Sequence, residues 1–101
     1  SMLPAAVECG EISGERVWGF PIGQEYNEAL KSQYADVIQC AKGPSPDHIL
    51  AATFLARFVS SRSSWVHCDL ACEENAGGLG LVGGDVTGFG VRWGLQLIEQ
   101  F

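Results

Sequence analysis

The sequence predicts an α/β fold, a βαβ unit with flanking helices packed around a partial sheet. Three observations carry that reading. Residues 65–71 alternate Val66, Cys68 and Leu70 with His67, Asp69 and Ala71, the two-residue period of a strand. Residues 35–41 form a second short run, more apolar than alternating. Between them lies the clearest helical pattern of the chain, over 46–60, where Ile49, Leu50, Thr53, Phe54, Arg57 and Phe58 recur at three- and four-residue spacings. Strand, helix and strand in that order imply parallel strands joined by a right-handed crossover.

Each element has its own signal. Ser1-Met2 reads as a tag remnant outside the fold. Residues 3–18 read as a helix with Leu3, Val7 and Ile12 on one side and Pro4 in the first turn. An apolar, turn-rich link over 18–23 follows, held extended before Pro21. Residues 24–33 read as a short helix with Tyr26 and Leu30 inward. Residues 42–46 must turn, because two prolines and a glycine continue neither regular structure, and Ser45 or Asp47 can cap the helix beyond. Residues 60–64 are a polar break before the second strand. The glycine-rich stretch 76–88 reads as a loop, and the later part of 88–98 as a closing helix with Thr87 as its cap. Gly78-x-Gly80-x-x-Gly83 has the form of a dinucleotide fingerprint. It neither follows a strand end directly nor opens into a helix, so the loop reading is preferred.

Composition narrows the function. A chain of 101 residues is one domain or a piece of a larger one, and 47% hydrophobic with 18% charged residues describes a folded chain. The net charge is −6, and Arg16, Lys31, Lys42, Arg57, Arg62 and Arg92 are scattered singly. No basic patch can neutralise phosphates, which argues against nucleic acid as a partner. No apolar run approaches the ~20 residues of a membrane span, and no signal-peptide pattern is present. Cys9, Cys40, Cys68 and Cys72 fit neither a zinc ribbon nor a redox pair, and are read as reduced, buried thiols of an intracellular protein. A metal site from His67, Cys68 and Cys72 is weak, because neighbours on a strand face opposite ways. His67 and Asp69 share a face but lack a nucleophile in a recognisable setting, so they read as structural. Trp18, Trp65 and Trp93 read as core or interface anchors.

Several pieces together resemble the C-terminal part of the leucyl aminopeptidase, or cytosol aminopeptidase, family of metallopeptidases. They are Gly14-Glu15-Arg16-Val17-Trp18; Lys31-Ser32 with Ala35-Asp36; Ala51-Ala52-Thr53-Phe54-Leu55 with Phe58-Val59; Trp65 to Ala71; and Thr87-Gly88-Phe89-Gly90-Val91-Arg92. The resemblance runs from about residue 12 to residue 100, and its order and spacing carry it.

The resemblance implies that residues 3–101 are the distal part of a mixed-sheet catalytic domain whose parent releases N-terminal amino acids from peptides. It implies two divalent ions, zinc or manganese, that activate a water, with a lysine and several carboxylates as ligands. Those ligands, with the family's Asn-Thr-Asp-Ala-Glu-Gly-Arg motif, would lie upstream, so this segment supplies no metal ligand and no catalytic residue and should be inactive alone. Ala71, and Glu74 three residues on, would line the pocket for the substrate's N-terminal side chain. A cytoplasmic homo-oligomer, a hexamer, is also implied. The family usually carries a glycine where this chain has Cys72, which restricts the backbone at a turn. The competing reading is a non-catalytic aminopeptidase-like protein kept for assembly or binding.

Overall fold

The computed structural model of the chain describes residues 2–40, 43–71 and 73–101. They form two compact units, one from the two ends of the chain (1–19 and 68–101) and one from its middle (20–67).

The regular elements are helical, which corrects the expected βαβ unit. Helix α1 spans Leu3–Ser13, a 3₁₀ segment spans Gln24–Leu30, α2 spans Asp47–Ala56 and α3 spans Val91–Ile98. Among the described residues no strand forms, and the only β pairing is two isolated antiparallel bridges, Glu74 with Val86 and Leu79 with Val82. The reason lies in where the backbone donors go. Ser32 Oγ accepts from the amides of Tyr34 (3.1 Å) and Ala35 (3.0 Å), so a side-chain turn captures the start of the first predicted strand. Within that stretch Ile38 N donates to Leu30 O at 2.9 Å, the end of the 3₁₀ segment, not to a second strand. Residues 64–71 stay irregular, without a ladder. Alternation fixes which side chains share a face, whereas a strand also needs a partner for its backbone groups. Ala41 and Lys42, the end of that predicted strand and the start of its turn, lie outside the described residues, as does Cys72.

In the unit made from the chain ends, α1 is shorter than the expected 3–18. Gly14, at φ 73°, adopts the left-handed conformation that ends it. Its inward face carries Ala6, Cys9 and Gly10, while Leu3, Val7 and Ile12 are exposed. Small residues face inward because the chain doubles back. A Cβ on Gly10 would sit 3.1 Å from both Glu15 O and Val17 N, an approach only glycine allows without displacement. Trp93 of α3 fills the space above α1 and donates its indole Nε1–H to Ala6 O at 2.8 Å, satisfying the one polar atom of a buried ring.

In the middle unit the 3₁₀ segment packs on α2 around Leu30, Ile49, Leu50 and Ala52. Buried Thr53 returns its hydroxyl to Ile49 O at 2.8 Å, so it buries no unpaired donor. α2 begins at Asp47 without a side-chain cap, contrary to expectation: Asp47 Oδ1 accepts from the next amide, His48, at 2.9 Å. It ends at Ala56 and not at 60. The amides of Arg57, Phe58 and Val59 bond three residues back, the tightened turn in which helices often finish. Arg57 Nη2 donates to Asn27 Oδ1 at 3.1 Å and ties this end to the 3₁₀ segment.

Candidate functional site

Ala71, just before the loop 73–87, and Glu74, within it, are the residues expected at a substrate pocket. Ala71 is exposed and in no regular element, and Glu74 is exposed, with its backbone bridged to Val86. Thr87 N donates to Glu73 O and Asn75 N to Asp85 O, at 2.9 and 2.8 Å. Those bonds flank Glu74 and Val86, which makes them a non-hydrogen-bonded antiparallel pair, the kind whose side chains stand closer together. The Thr87 hydroxyl also donates to Glu73 O at 3.2 Å.

Further out the loop closes on itself. Leu79 and Val82 exchange amide bonds of 2.9 and 3.1 Å around Gly80-Leu81. Gly80 has φ 60° and Leu81 has no positive φ, the pattern of a type II′ hairpin turn with glycine first. Gly77 N donates to Asp85 Oδ1 at 2.9 Å, Gly78 N to Asn75 O at 2.9 Å, and the Asn75 side-chain amide to Gly78 O. The glycines that formally matched a dinucleotide fingerprint therefore serve a hairpin. The following helix, α3, starts only at Val91.

Glu15 is the feature that sequence reasoning missed. It is 2% exposed, the most deeply buried charged side chain among the described residues. Its Oε2 accepts from Gly90 N at 3.0 Å and Trp93 N at 2.8 Å. These are the amides of the residue just before α3 and of its third residue, an N-terminus that no local side chain caps. A carboxylate at a helix N-terminus also faces the positive end of the helix dipole. Arg92 Nε lies 3.3 Å from Glu15 Oε1, within ion-pair range though not aligned for a hydrogen bond. Thr87, the expected cap, instead accepts from Phe89 N at 3.1 Å, one turn before the helix begins. The sequence offered half of the signal, the need for a cap but not the residue that meets it. A helix preceded by glycine needs an acceptor from elsewhere, and an acidic residue follows directly on the glycine that stops α1.

The remaining candidates do not converge on a reactive centre. His67 is half-buried, its ring tilted against Trp65 at 6.0 Å between centroids, while Asp69 is exposed. Burial, and then the neighbouring charge of Asp69, push the Cys68 thiol above its ordinary pKa, which disfavours the thiolate that a nucleophile or metal ligand needs. Cys9 is buried, Cys68 is half-buried, and Cys40 is exposed, contrary to the expected burial. Among the described residues no group of three His, Cys, Asp or Glu side chains is placed to hold a metal ion. No helix there is long and apolar enough to cross a membrane. Trp93 is a core anchor, whereas Trp18 is exposed.

Residues 1–94 match the catalytic domain of the cytosol aminopeptidase family. The chain is 40% identical over 94 residues to a probable cytosol aminopeptidase of Chloroherpeton thalassium, an alignment covering 93% of the chain and 18% of that protein. It is 37% identical over 95 residues to one from Chlorobium limicola, with 93% and 18% covered. It is 34% identical over 101 residues to one from Phytoplasma australiense, with 99% and 20% covered. The chain thus spans about a fifth of the length of these relatives. No solved structure matches it.

Proposed function

The chain belongs to the cytosol aminopeptidase family, and on that footing we propose that it is the distal segment of a metal-dependent aminopeptidase. The match to the family's catalytic domain over residues 1–94 is the observation that carries this reading. The parent enzyme hydrolyses the first peptide bond of peptide substrates in the cytosol, as a homo-oligomer. The names of the relatives support the reaction and the compartment, and the motif order from Gly14 to Arg92 supports the distal position.

The two divalent ions, zinc or manganese, that such an enzyme uses find no fitting ligand set among the described residues. On this reading the segment alone is inactive. Its contribution is a wall of the pocket for the substrate's N-terminal side chain, formed by Ala71 and Glu74.

Glu74 gives that wall a preference. A carboxylate covered by leucine loses hydration without compensation, whereas a lysine or arginine side chain can pair with it. A partly shielded charged contact of this kind is worth about 1–3 kcal/mol. The test compares leucine and arginine aminoacyl substrates on the parent enzyme before and after Glu74→Met. The expected result is a shift of kcat/KM towards leucine by roughly tenfold. An unchanged ratio would remove Glu74 from the pocket.

A further inference from the structure

We propose that Glu15 is a positioning residue for this pocket wall, holding the segment that carries Ala71 and Glu74 by way of the first turn of α3. The proposal rests on the pocket reading for its meaning, but its geometry stands on observations independent of that reading.

Leu70 and Glu73, the neighbours of Ala71 and Glu74, both lean on the entry to α3. A Cβ placed on Gly90 would lie 3.0 Å from Leu70 Cδ1, so Leu70 packs directly over the Gly90 backbone. Gly90 adopts φ 97°, a conformation that side-chain-bearing residues rarely take, so the close approach and the backbone twist require the same glycine. Glu73 O receives both the amide and the hydroxyl of Thr87. The hairpin tip returns to the same place: a Cβ on Gly14 would lie 3.2 Å from Leu81 Cδ1, beside Glu15 in sequence.

What fixes Gly90 itself is Glu15. Its carboxylate takes the amides of Gly90 and Trp93 in one oxygen and faces Arg92 with the other, reaching 75 residues along the chain. No local cap duplicates it. A buried carboxylate with these partners is stable only in one placement, because any displacement strands a charge and two amides away from water. Glu15 therefore sets where Gly90 lies, Gly90 anchors Leu70 and Thr87 anchors Glu73, and those two anchors set where their neighbours Ala71 and Glu74 lie. Without Glu15 the helix would lose its first turn and the wall its support.

The test is residue-resolved amide exchange by NMR on the whole chain, with Glu15→Gln, Glu15→Ala and, as a control for general destabilisation, Cys9→Ala. Glu15→Gln keeps an acceptor and the shape, so it remains informative if the alanine variant does not fold. With Glu15→Gln, which removes the charge of the acceptor and its pairing with Arg92, protection should fall at Gly90 and Trp93 and also at Thr87 and Asn75, by roughly tenfold, the scale on which weakening a charge-assisted hydrogen bond acts. The amides of α1 should hold their protection. Cys9→Ala should lower all of these together. In Glu15→Ala, added formate should restore protection at both places, because a small carboxylate fills the vacated position, whereas chloride should not. If Gly90 and Trp93 lose protection while Thr87 and Asn75 keep theirs, Glu15 is a helix cap only and the proposal is overturned. It is equally overturned if Glu15→Gln reproduces the uniform loss of Cys9→Ala. Neither result touches the pocket reading, which the leucine-to-arginine ratio of Glu74→Met decides separately.

Discussion

At the scale of single residues, the glycines of the loop divide by what their backbone does. Gly78 has φ 86°, and a Cβ there would collide with Val82 O and lie 2.8 Å from Gly83 Cα, all backbone that cannot swing aside. Gly84 has an ordinary φ and nothing near the position of its missing Cβ. Gly78→Ala should therefore destabilise the fold by about 1–3 kcal/mol, the cost of a backbone forced into a rare conformation. Gly84→Ala should change stability by no more than about 0.5 kcal/mol. Urea-unfolding midpoints of the two variants check this, and equal shifts would mean that the hairpin contributes nothing to stability. The sequence showed that glycines cluster here, but not which of them a turn requires, because φ is decided by hydrogen bonds such as those of Leu79 with Val82. Glu15 was hidden for a related reason. Its partners lie 75 and 78 residues away, beyond any local pattern.

At the scale of elements, helices were legible and pairing was not. The three- and four-residue spacing around Leu50 and Thr53 marked α2, and the left-handed Gly14 explains why α1 stops before 18. Alternation over 65–71 marked a strand that the described residues do not build, since a period of two says nothing about a partner. The closing helix shows the same split between period and environment. Its Trp93 is buried, while Val91, Leu95 and Ile98, spaced four and three apart, form an apolar stripe that is 62, 58 and 73% exposed. An uncovered stripe of that kind favours association in water. The isolated chain should self-associate with rising concentration, and Leu95→Glu with Ile98→Glu should shift it towards monomer without unfolding it. Sedimentation equilibrium with far-UV circular dichroism checks both points, and a wild-type chain that stays monomeric at high concentration would contradict the prediction.

At the scale of the whole molecule, membership of the family was legible in short motifs from Gly14 to Arg92, because motif order survives where local structure is ambiguous. The proposed pocket wall rests on that resemblance alone, since Ala71 and Glu74 are exposed and unremarkable by composition. On the proposed reading, a two-metal centre draws its ligands from groups other than the described residues. Two-metal hydrolysis needs several carboxylate or nitrogen ligands converging on each ion, with the ions about 3.5–4 Å apart. The described residues bring no three such groups together, and the buried carboxylate they do contain, Glu15, is already committed to two amides and Arg92. Burial, and then the charge of Asp69, raise the Cys68 thiol's pKa, which disfavours it as a thiolate ligand. The isolated chain should accordingly bind zinc or manganese with no saturable two-site stoichiometry in calorimetry, and should release no product from leucine or arginine aminoacyl amides. The net charge of −6 will attract divalent cations diffusely, so the discriminating quantity is stoichiometry at moderate salt, where loose association is screened. Two ions bound per chain under those conditions, together with turnover, would mean that the segment carries a complete centre of its own and that the pocket-wall reading is mistaken.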